Sequence, residues 1–298
     1  MSASLSGSLA GPASALAPAP GLGPAEAHRI VAIAREHAGL ALRPERADFL
    51  RSRLSRRLRE TGAGDFPSYL ARLEGPRGAA ERARMVEALT THTTAFFRER
   101  RHFDWLESEG LAALAARGAG RRRPLLAWSA ACSTGAEMWS AAMTLDAFRD
   151  PHGAGLDWSV AGSDVSRRIL RRAAGATFDA EEIEGVPEPF RKRYLMRGRR
   201  PRRPARYRIA PELRARARLL FANLMDLDAA PDFRADVVFL RNVLIYFDPP
   251  DRRRIVGAVA RRLSPGGFLI VGHAETLEEA VPGLAAVATS VYRREDRA

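Results

Sequence analysis

Apolar positions in residues 25–88 repeat with helical spacing. The segment AEAHRIVAIAREHAGL carries apolar groups three and four residues apart, such as Ile30 and Ala34, which predicts an amphipathic helix. A second helix is expected in PERADFLRSRLSRRLRETG, opening at Pro44 and ending at Gly62. DFPSYLARL and AAERARMVEALTTH predict two further short helices. The pattern therefore predicts a small all-helical amino-terminal domain.

After Phe103 the pattern changes to short apolar runs that are typical of buried strands. The five runs are LLAWSAA, WSVAGSD, ARLLFANL, DVVFLRNVLIYF and GGFLIVGHA. Helical stretches separate most of them: EMWSAAMTLDAF, SRRILRRAAGA and DRRRIVGAVARRL. This alternation predicts the α/β class, with a parallel sheet covered by helices on both faces. Ligands of such sheets bind beyond the carboxyl ends of the strands.

One stretch, RGRRPRRPARYRIAPELRARARLLF, interrupts the alternation because it is too rich in proline and arginine for a crossover helix. We expect YRIAPEL and RARLLF to form a small antiparallel excursion from the sheet. The residues before Pro24 are almost entirely Ala, Ser, Gly, Leu and Pro, which predicts a disordered tail over residues 1–24. This tail lacks a signal peptide's basic start, and no later run is long enough to span a bilayer. We therefore expect a cytoplasmic protein without membrane insertion.

Charge and cysteine content narrow the classes of partner. Lys and Arg total 48 against 35 Asp and Glu, a formal net charge of +13, and Lys192 is the single lysine. Such a surface attracts polyanions, but charge alone does not choose between an acidic protein surface and nucleic acid. The single cysteine, Cys132, excludes an intrachain disulfide and makes a cysteine-based metal site unexpected. We expect no metal centre.

The first predicted strand ends in a loop of small residues, Ser129 to Gly135. Small residues let a ligand approach the backbone, and the following helix offers N–H groups. The loop has one glycine and no lysine, so it matches neither a G-x-G-x-x-G fingerprint nor a P-loop. Glu137 follows in the first helical turn, where it either favours the helix dipole or pairs with a ligand ammonium group.

Polar residues also stand at the ends of the second and fourth strands. Asp164 either accepts hydrogen bonds from both hydroxyls of a ribose or caps the helix that follows. Arg241 and Asn242 interrupt an apolar run, where polar groups are costly unless they are satisfied. We expect a ligand at the strand end to satisfy them.

The segment TTHTTAFFRE, just upstream of the strands, is a poor helix because threonine disfavours helix interiors. Its shape is expected to follow from what it contacts. Phe96 and Phe97 are expected in the core. A histidine such as His92 is more often structural than catalytic.

At these residues the chain resembles the CheR family of chemotaxis receptor methyltransferases. The resemblance runs in order over roughly residues 28–295 and rests on seven motifs: TTHTTAFFRE, WSAACSTGAE, AGSD, the FANL stretch, FLRNVLIYFD, LSPGGFLIVGHAE and TSVYRR. It implies a class I methyltransferase (Rossmann-like) sheet, a helical domain over 25–88 and a methyltransferase domain over 89–298. It also implies an inserted antiparallel β-subdomain at about 196–222.

The resemblance implies S-adenosylmethionine (SAM) as cofactor and S-adenosylhomocysteine as product. The implied cofactor contacts are His92, Thr94, Arg98, Glu137, Asp164, Asn223, Leu224, Asn242 and Val243. Asp164 would hold the ribose, Glu137 would face the methionine portion, and Asn223 would border the adenine. Arg98 and Tyr246 would lie nearest the transferred methyl group as catalytic residues.

Three positions depart from the family pattern. The family usually has Asn where this chain has His92, and an acidic residue where it has Ala136. Met138-Trp139 stands where Pro-Tyr is common. Imidazole offers one donor and one acceptor and so replaces an amide only in part. We expect these departures to affect cofactor affinity more than the reaction.

The function implied by the resemblance is methylation of glutamate side chains on the cytoplasmic helices of methyl-accepting chemotaxis receptors. Arg53, Arg56 and Arg57 of the second helix are candidate docking residues for those acidic helices. The protein is expected to be a monomer. Two alternatives stay open: a SAM-binding regulatory module without turnover, and a nucleic-acid methyltransferase. The second is disfavoured, because Asp248-Pro249-Pro250 lies past the strand where such enzymes carry their motif.

Overall fold

The amino-terminal part is a group of four helices. The computed structural model describes residues 20–90, 93–148, 155–198, 205–277 and 281–296. Its first helices are α1 (Pro24–Ala38), α2 (Ala47–Thr61), α3 (Phe66–Glu74) and α4 (Ala79–Leu89). They share one apolar core that includes Leu50, Leu54 and Tyr69. The four predicted helices are confirmed, whereas residues 1–19 of the predicted tail lie outside the described ranges.

The second helix begins later than predicted. Pro44 lies in a turn that the N–H of Arg46 closes on the carbonyl of Arg43 at 3.1 Å, and α2 starts at Ala47. A proline suits the second position of such a turn as well as it suits a first helical turn, so Pro44 alone does not distinguish a turn from a helix start. Gly62 ends the helix as predicted, with a left-handed φ of 69°.

Ten strands lie in the described residues that follow. They are β1 (Leu125–Ser129), β2 (Trp158–Asp164), β3 (Thr177–Asp179), β4 (Leu195–Arg197), β5 (Arg206–Ile209), β6 (Ala217–Phe221), β7 (Ala235–Leu240), β8 (Leu263–Val271), β9 (Leu284–Ala288) and β10 (Val291–Arg294). Seven of them form one sheet in the order β6-β2-β1-β7-β8-β10-β9. The first five in that order are parallel neighbours, and β10 runs antiparallel to both β8 and β9.

Helices cover this sheet on both faces, as predicted. They are α5 (Arg101–Trp105), α6 (Leu111–Ala116), α7 (Ala136–Ala147), α8 (Arg167–Gly175), α9 (Glu188–Tyr194), α10 (Pro211–Ala215) and α11 (Pro249–Arg262). A π-helical turn, Leu106–Gly110, joins α5 to α6. Along β7, the fully buried Val238 packs with the α11 side and Phe239 with the α7 side. The central strands are therefore apolar on both faces, which is why they read as unbroken runs.

The fourth predicted strand is shorter than its apolar run. β7 ends at Leu240, and Asn242 takes a left-handed φ of 56° that breaks the extended chain. Residues Leu244–Tyr246 then form a short 3₁₀ turn. The predicted extension of this strand to Phe247 is wrong, because most of the apolar residues of VLIYF pack into the core and do not pair in the sheet.

The predicted small antiparallel sheet exists, but its strands differ from those predicted. A small sheet has the order β3-β5-β4 with antiparallel pairs. The RARLLF segment does not belong to it, because Ala217–Phe221 pairs in parallel with β2 in the large sheet. Residues 199–204, which include most of the proline- and arginine-rich stretch, lie outside the described ranges. Among the helices of the described ranges, none is long and apolar enough to cross a bilayer.

Candidate active site

The candidate site lies where the carboxyl ends of β1, β2 and β7 meet. The loop after β1 is held to both neighbouring strands: Ala130 N–H donates to Phe239 O at 2.9 Å, and Cys132 N–H donates to Ser163 O at 2.8 Å. Gly135 ends the loop with a φ of 92°, and a Cβ there would lie 3.1 Å from the Trp139 indole nitrogen. Glycine is therefore required at the turn that leads into α7.

Asp164, at the end of β2, joins two loops. Its carboxylate accepts the N–H of Ser133 at 3.0 Å and that of Ser166 at 2.9 Å. Ser166 caps α8, since its hydroxyl accepts the N–H of Ile169 at 3.1 Å. Of the two interpretations of Asp164, helix capping is therefore wrong. The carboxylate instead lies beside the small-residue loop, as a ribose-binding acid requires.

Arg241 is the charge at the centre of the site. Its side chain is 1% exposed and lies between two carboxylates, 2.8 Å from Glu137 and 3.2 Å from Glu99. It also donates to the backbone carbonyl of Arg98. The protein's own carboxylates pair with Arg241, but its buried Nε has no hydrogen-bond partner among the described residues, so the expectation that a ligand satisfies this side chain stays a prediction. A buried arginine in this position needs such partners to offset its desolvation.

Both oxygens of Glu137 are engaged inside the protein. Ser129 Oγ donates to one at 2.7 Å, and Arg241 donates to the other. Burial raises the pKa of Glu137, and the nearby guanidinium of Arg241 opposes that shift. Glu137 therefore does more than favour the helix dipole, since it anchors Arg241 beneath the strand ends.

Glu99 and Glu275 hold the segment that follows β7, and sequence reasoning assigned neither a role. Asn242 Nδ2 donates to Glu99 at 3.1 Å. Desolvation pushes the pKa of Glu99 upward, but the hydrogen bond from Asn242 and the charge of Arg241 lead the effects that lower it overall. Glu275 accepts the backbone N–H groups of Asn242 at 2.5 Å, Ile245 at 3.2 Å and Gly272 at 3.0 Å. The sequence did contain a sign of the role of Glu275, because this acidic residue follows the buried, glycine-rich strand β8 and had no assigned function.

Strained backbone concentrates at this site. Among the described residues, six that are not glycine have positive φ, and four of them border the strand ends: Phe97, Glu99, Ser133 and Asn242. Each such conformation costs roughly 1–3 kcal/mol and persists only where its surroundings enforce it. Here the enforcing contacts include Phe97 N–H to Ser140 Oγ at 2.9 Å. Phe96 and Phe97 are buried, as predicted.

The other predicted residues surround this core. Arg98 is exposed and donates to Thr93 O at 3.2 Å, while Thr94 is partly buried beside it. Asn223 uses its side chain within the protein, accepting Met225 N–H at 3.0 Å and donating to His37 O at 3.3 Å. The remaining three lie at the ends of β6 and β7: Leu224, Val243 and Tyr246. His92 lies outside the described ranges.

Tyr246 reaches both parts of the molecule. Its side chain packs against the core of the large sheet and against the core of the amino-terminal helices. Its carbonyl accepts the N–H of Ala41 at 2.7 Å. Among the described residues no hydrogen bond joins Tyr246 to Arg98. The two predicted catalytic side chains therefore stand on separate loops of one rim.

The predicted docking arginines of α2 differ in exposure. Arg57 is 13% exposed and binds the buried Glu81 at 2.6 Å. Arg56 is 80% exposed and pairs with Glu60 one turn on, at 2.7 Å. Arg53 is exposed and lies over the Phe49 ring at 5.3 Å. Arg57 is therefore part of the domain's internal structure, which leaves Arg53 and Arg56 as the docking candidates.

The parallel strands, the reversed strand β10 and the acid at the end of β2 define a class I SAM-dependent methyltransferase. Two family models match the chain: "CheR methyltransferase, all-alpha domain" over residues 25–90 and "CheR methyltransferase, SAM binding domain" over residues 92–292. The chain belongs to the CheR methyltransferase family.

Curated relatives agree in length as well as in sequence. Chemotaxis protein methyltransferase 2 of Pseudomonas aeruginosa is 37% identical over 258 residues, covering 85% of this chain and 87% of the relative. The chemotaxis protein methyltransferase of Klebsiella aerogenes is 35% identical over 261 residues, covering 87% and 85%. That of Salmonella typhimurium is 34% identical over 272 residues, covering 91% and 90%.

The residues at the strand ends fit SAM as the cofactor. Asp164 supplies a carboxylate at the position that suits a ribose, beside a loop of small side chains. Within the described part of the chain, no side chain caps the first N–H groups of α7. Leu224 and Val243 add apolar surface at the neighbouring strand ends. This set provides both the polar and the apolar contacts that an adenosyl group needs.

Proposed function

We propose that this methyltransferase esterifies glutamate side chains on the cytoplasmic helices of chemotaxis receptors, acting as a cytoplasmic monomer. The family membership and the names of the curated relatives support a receptor substrate. The observation that carries the proposal is the exposed side chain of Arg98, whose backbone carbonyl accepts a hydrogen bond from Arg241 just after β7. A cationic side chain at the mouth of a cofactor site suits an anionic acceptor.

The reaction requires the protein to position the glutamate and the cofactor more than to supply an acid or a base. When bound, SAM would supply an activated methyl group for transfer to the glutamate oxygen, and its sulfur would keep the electron pair of the broken carbon–sulfur bond. An ionised glutamate needs no general base, only alignment at about 3 Å behind the methyl carbon. Asp164 holds the ribose, while Arg98 orients the incoming carboxylate through its planar fork. Tyr246 limits water at the same rim.

Replacing Arg98 tests the proposed active site. Arg98→Ala removes the orienting fork, so we expect at least about a hundredfold loss of methyl transfer, with cofactor affinity reduced much less. Tyr246→Phe keeps the ring's packing and loses the hydroxyl, and is expected to cost about tenfold. The measurement is alkali-labile label transferred from radiolabelled SAM to receptor-containing membranes. Calorimetry with S-adenosylhomocysteine gives the affinity.

Arg100→Ala is the matched control, because Arg100 is an exposed arginine two residues away whose one ion pair among the described residues is with Asp104 in α5. It should transfer at the rate of the unchanged protein. Near-normal transfer by Arg98→Ala would refute the orienting role. Label that enters nucleic acid but not receptor would refute the receptor substrate.

We also propose that Arg53 and Arg56 of α2 dock the acidic receptor helices. Reversing both to Glu should weaken receptor methylation by about tenfold or more at low salt, because each exchange turns attraction into repulsion. Cofactor affinity should not change. Arg57 is left intact, because its reversal would leave Glu81 buried without its partner.

Charge reversal elsewhere provides the control for docking. Arg253 and Arg254, exposed on α11, change the net charge equally when both become Glu. If both double variants lose methylation alike, the effect is one of total charge and α2 is not the docking helix. Loss of cofactor binding in the α2 variant would instead assign Arg53 and Arg56 a structural role.

A further inference from the structure

A cluster of two imidazoles and a carboxylate lies next to the strand ends, outside the residues given a role in methyl transfer. Glu99, His102 and His273 each offer one ligand atom, and these atoms lie within 4.8 Å of one another. The three residues come from two distant parts of the chain, since the backbone N–H of His273 donates to Glu99 across 174 positions at 3.2 Å. The fold brings this donor set together, which is why spacing along the sequence gave no sign of it.

His102 is the unusual member of the cluster. Its side chain is 3% exposed, and neither ring nitrogen has a hydrogen-bond partner among the residues that the structure describes. A buried polar atom without a partner costs roughly 1–3 kcal/mol. A neutral, desolvated imidazole with an unused nitrogen is the form that binds metal ions.

The two distances to Glu99 need only a small adjustment for coordination. His102 Nδ1 lies 3.6 Å and His273 Nε2 lies 3.9 Å from Glu99 Oε2. Ligand atoms around a tetrahedral zinc ion with bonds of about 2.1 Å are about 3.4 Å apart. The two rings stack at 4.7 Å with 22° between their planes, so one ring must rotate to aim its nitrogen at a shared ion. The His273 side chain is 43% exposed and can do so.

We propose that Glu99, His102 and His273 form a binding site for a divalent transition-metal ion, with zinc as the ion that best suits two imidazoles and a carboxylate. Zinc sites with three protein ligands of these types leave a fourth position open to water. Solvent reaches this cluster at His273, which gives the ion an entry path. The proposal does not depend on which substrate is methylated.

The neighbouring charges limit the affinity of the site. Arg241 lies 3.2 Å from the same Glu99 oxygen, and its positive charge opposes a cation there. Asn242 Nδ2 holds the other oxygen of Glu99. A bound ion therefore competes with contacts that hold the segment after β7. We infer a reversible site of moderate affinity, not a permanently loaded structural centre.

Calorimetric titration of the metal-free full chain with zinc chloride tests the proposal. We expect one ion per chain to bind to this cluster, with an affinity at least about tenfold lower in His273→Ala. Cobalt(II) in place of zinc should give the visible absorption of a low-symmetry site with nitrogen ligands, and His273→Ala should lose that spectrum.

His28→Ala is the matched control, because His28 is exposed on α1, far along the chain from the cluster. It should leave affinity and spectrum unchanged. His102→Gln removes the buried ligand while keeping a polar side chain, and should lose binding in the same way. If His102→Gln does not fold, His273→Ala still tests the proposal, because His273 is exposed. Equal zinc affinity in the unchanged protein and His273→Ala would overturn the proposal.

Discussion

At the scale of single residues, buried charges organise the site. Arg241, Glu99 and Glu137 form one ion-paired group beneath the strand ends, and Glu275 binds three backbone N–H groups beside it. Removing one partner of such a group leaves an uncompensated buried charge or donor, which costs more than the contact itself contributes. These side chains therefore set the shape of the rim before any ligand arrives.

Glu275→Gln should destabilise the protein by about 1–3 kcal/mol. The amide keeps one acceptor oxygen but turns an NH₂ group toward backbone donors, so at least one buried N–H loses its partner. Cofactor affinity should fall as well, because Asn242 and the segment after it depend on this carboxylate. Urea unfolding measures the first effect and calorimetry with S-adenosylhomocysteine the second. Glu295→Gln, an exposed acid on the same sheet's far end, should change neither quantity. Unchanged stability in Glu275→Gln would show that the three N–H groups find other partners.

At the scale of elements, the sequence predicted those whose patterns are long or strongly apolar. The four amino-terminal helices and the five parallel strands fall in this group. The strands β9 and β10 were not predicted, because Leu284–Ala288 and Val291–Arg294 are short and carry no clear alternation of apolar and polar residues. The end of β7 was misplaced because a left-handed Asn242 leaves no trace in hydrophobicity. The π-helical turn at Leu106–Gly110 likewise depends on packing that no local pattern reports.

Ser166 joins two elements, and its replacement by alanine should cost about 1–2 kcal/mol of stability. Its hydroxyl caps α8 by accepting Ile169 N–H, and it also donates to Glu87 of α4 at 3.0 Å. Alanine loses both the cap and the link to the amino-terminal helices. Thermal and urea unfolding measure the loss. Ser166→Thr keeps a hydroxyl in the same place and should recover most of it. If threonine is no better than alanine, the buried space, and not the hydrogen bonds, determines the stability.

At the scale of the whole molecule, the amino-terminal helices pack directly on the rim of the sheet. Tyr246 O accepts Ala41 N–H, Asn223 Nδ2 donates to His37 O, and Val165 packs into the helical core. The sequence indicated which strand ends bear polar residues, because each lies next to its own strand. It gave no sign that Arg241 pairs with Glu137 across 104 positions, since such pairing is set by the topology of the sheet. The roles assigned to single cofactor contacts stay predictions.

The loop between β1 and α7 contains the chain's single cysteine. Cys132 is 1% exposed, and burial raises the pKa of its thiol, so the reactive thiolate forms only when the loop opens. A colourless thiol reagent that turns yellow on reaction should therefore label the native protein slowly and the urea-unfolded protein at once. S-adenosylhomocysteine at about a hundred times its dissociation constant should slow native labelling by up to about a hundredfold, if labelling requires an unliganded loop. If the added nucleoside does not change the labelling rate, the opening that exposes Cys132 does not involve the cofactor site. The rate at which the unmodified protein is labelled would thus report whether its cofactor site is empty, without an engineered tag. Inhibitors could be ranked by how strongly they delay the yellow colour.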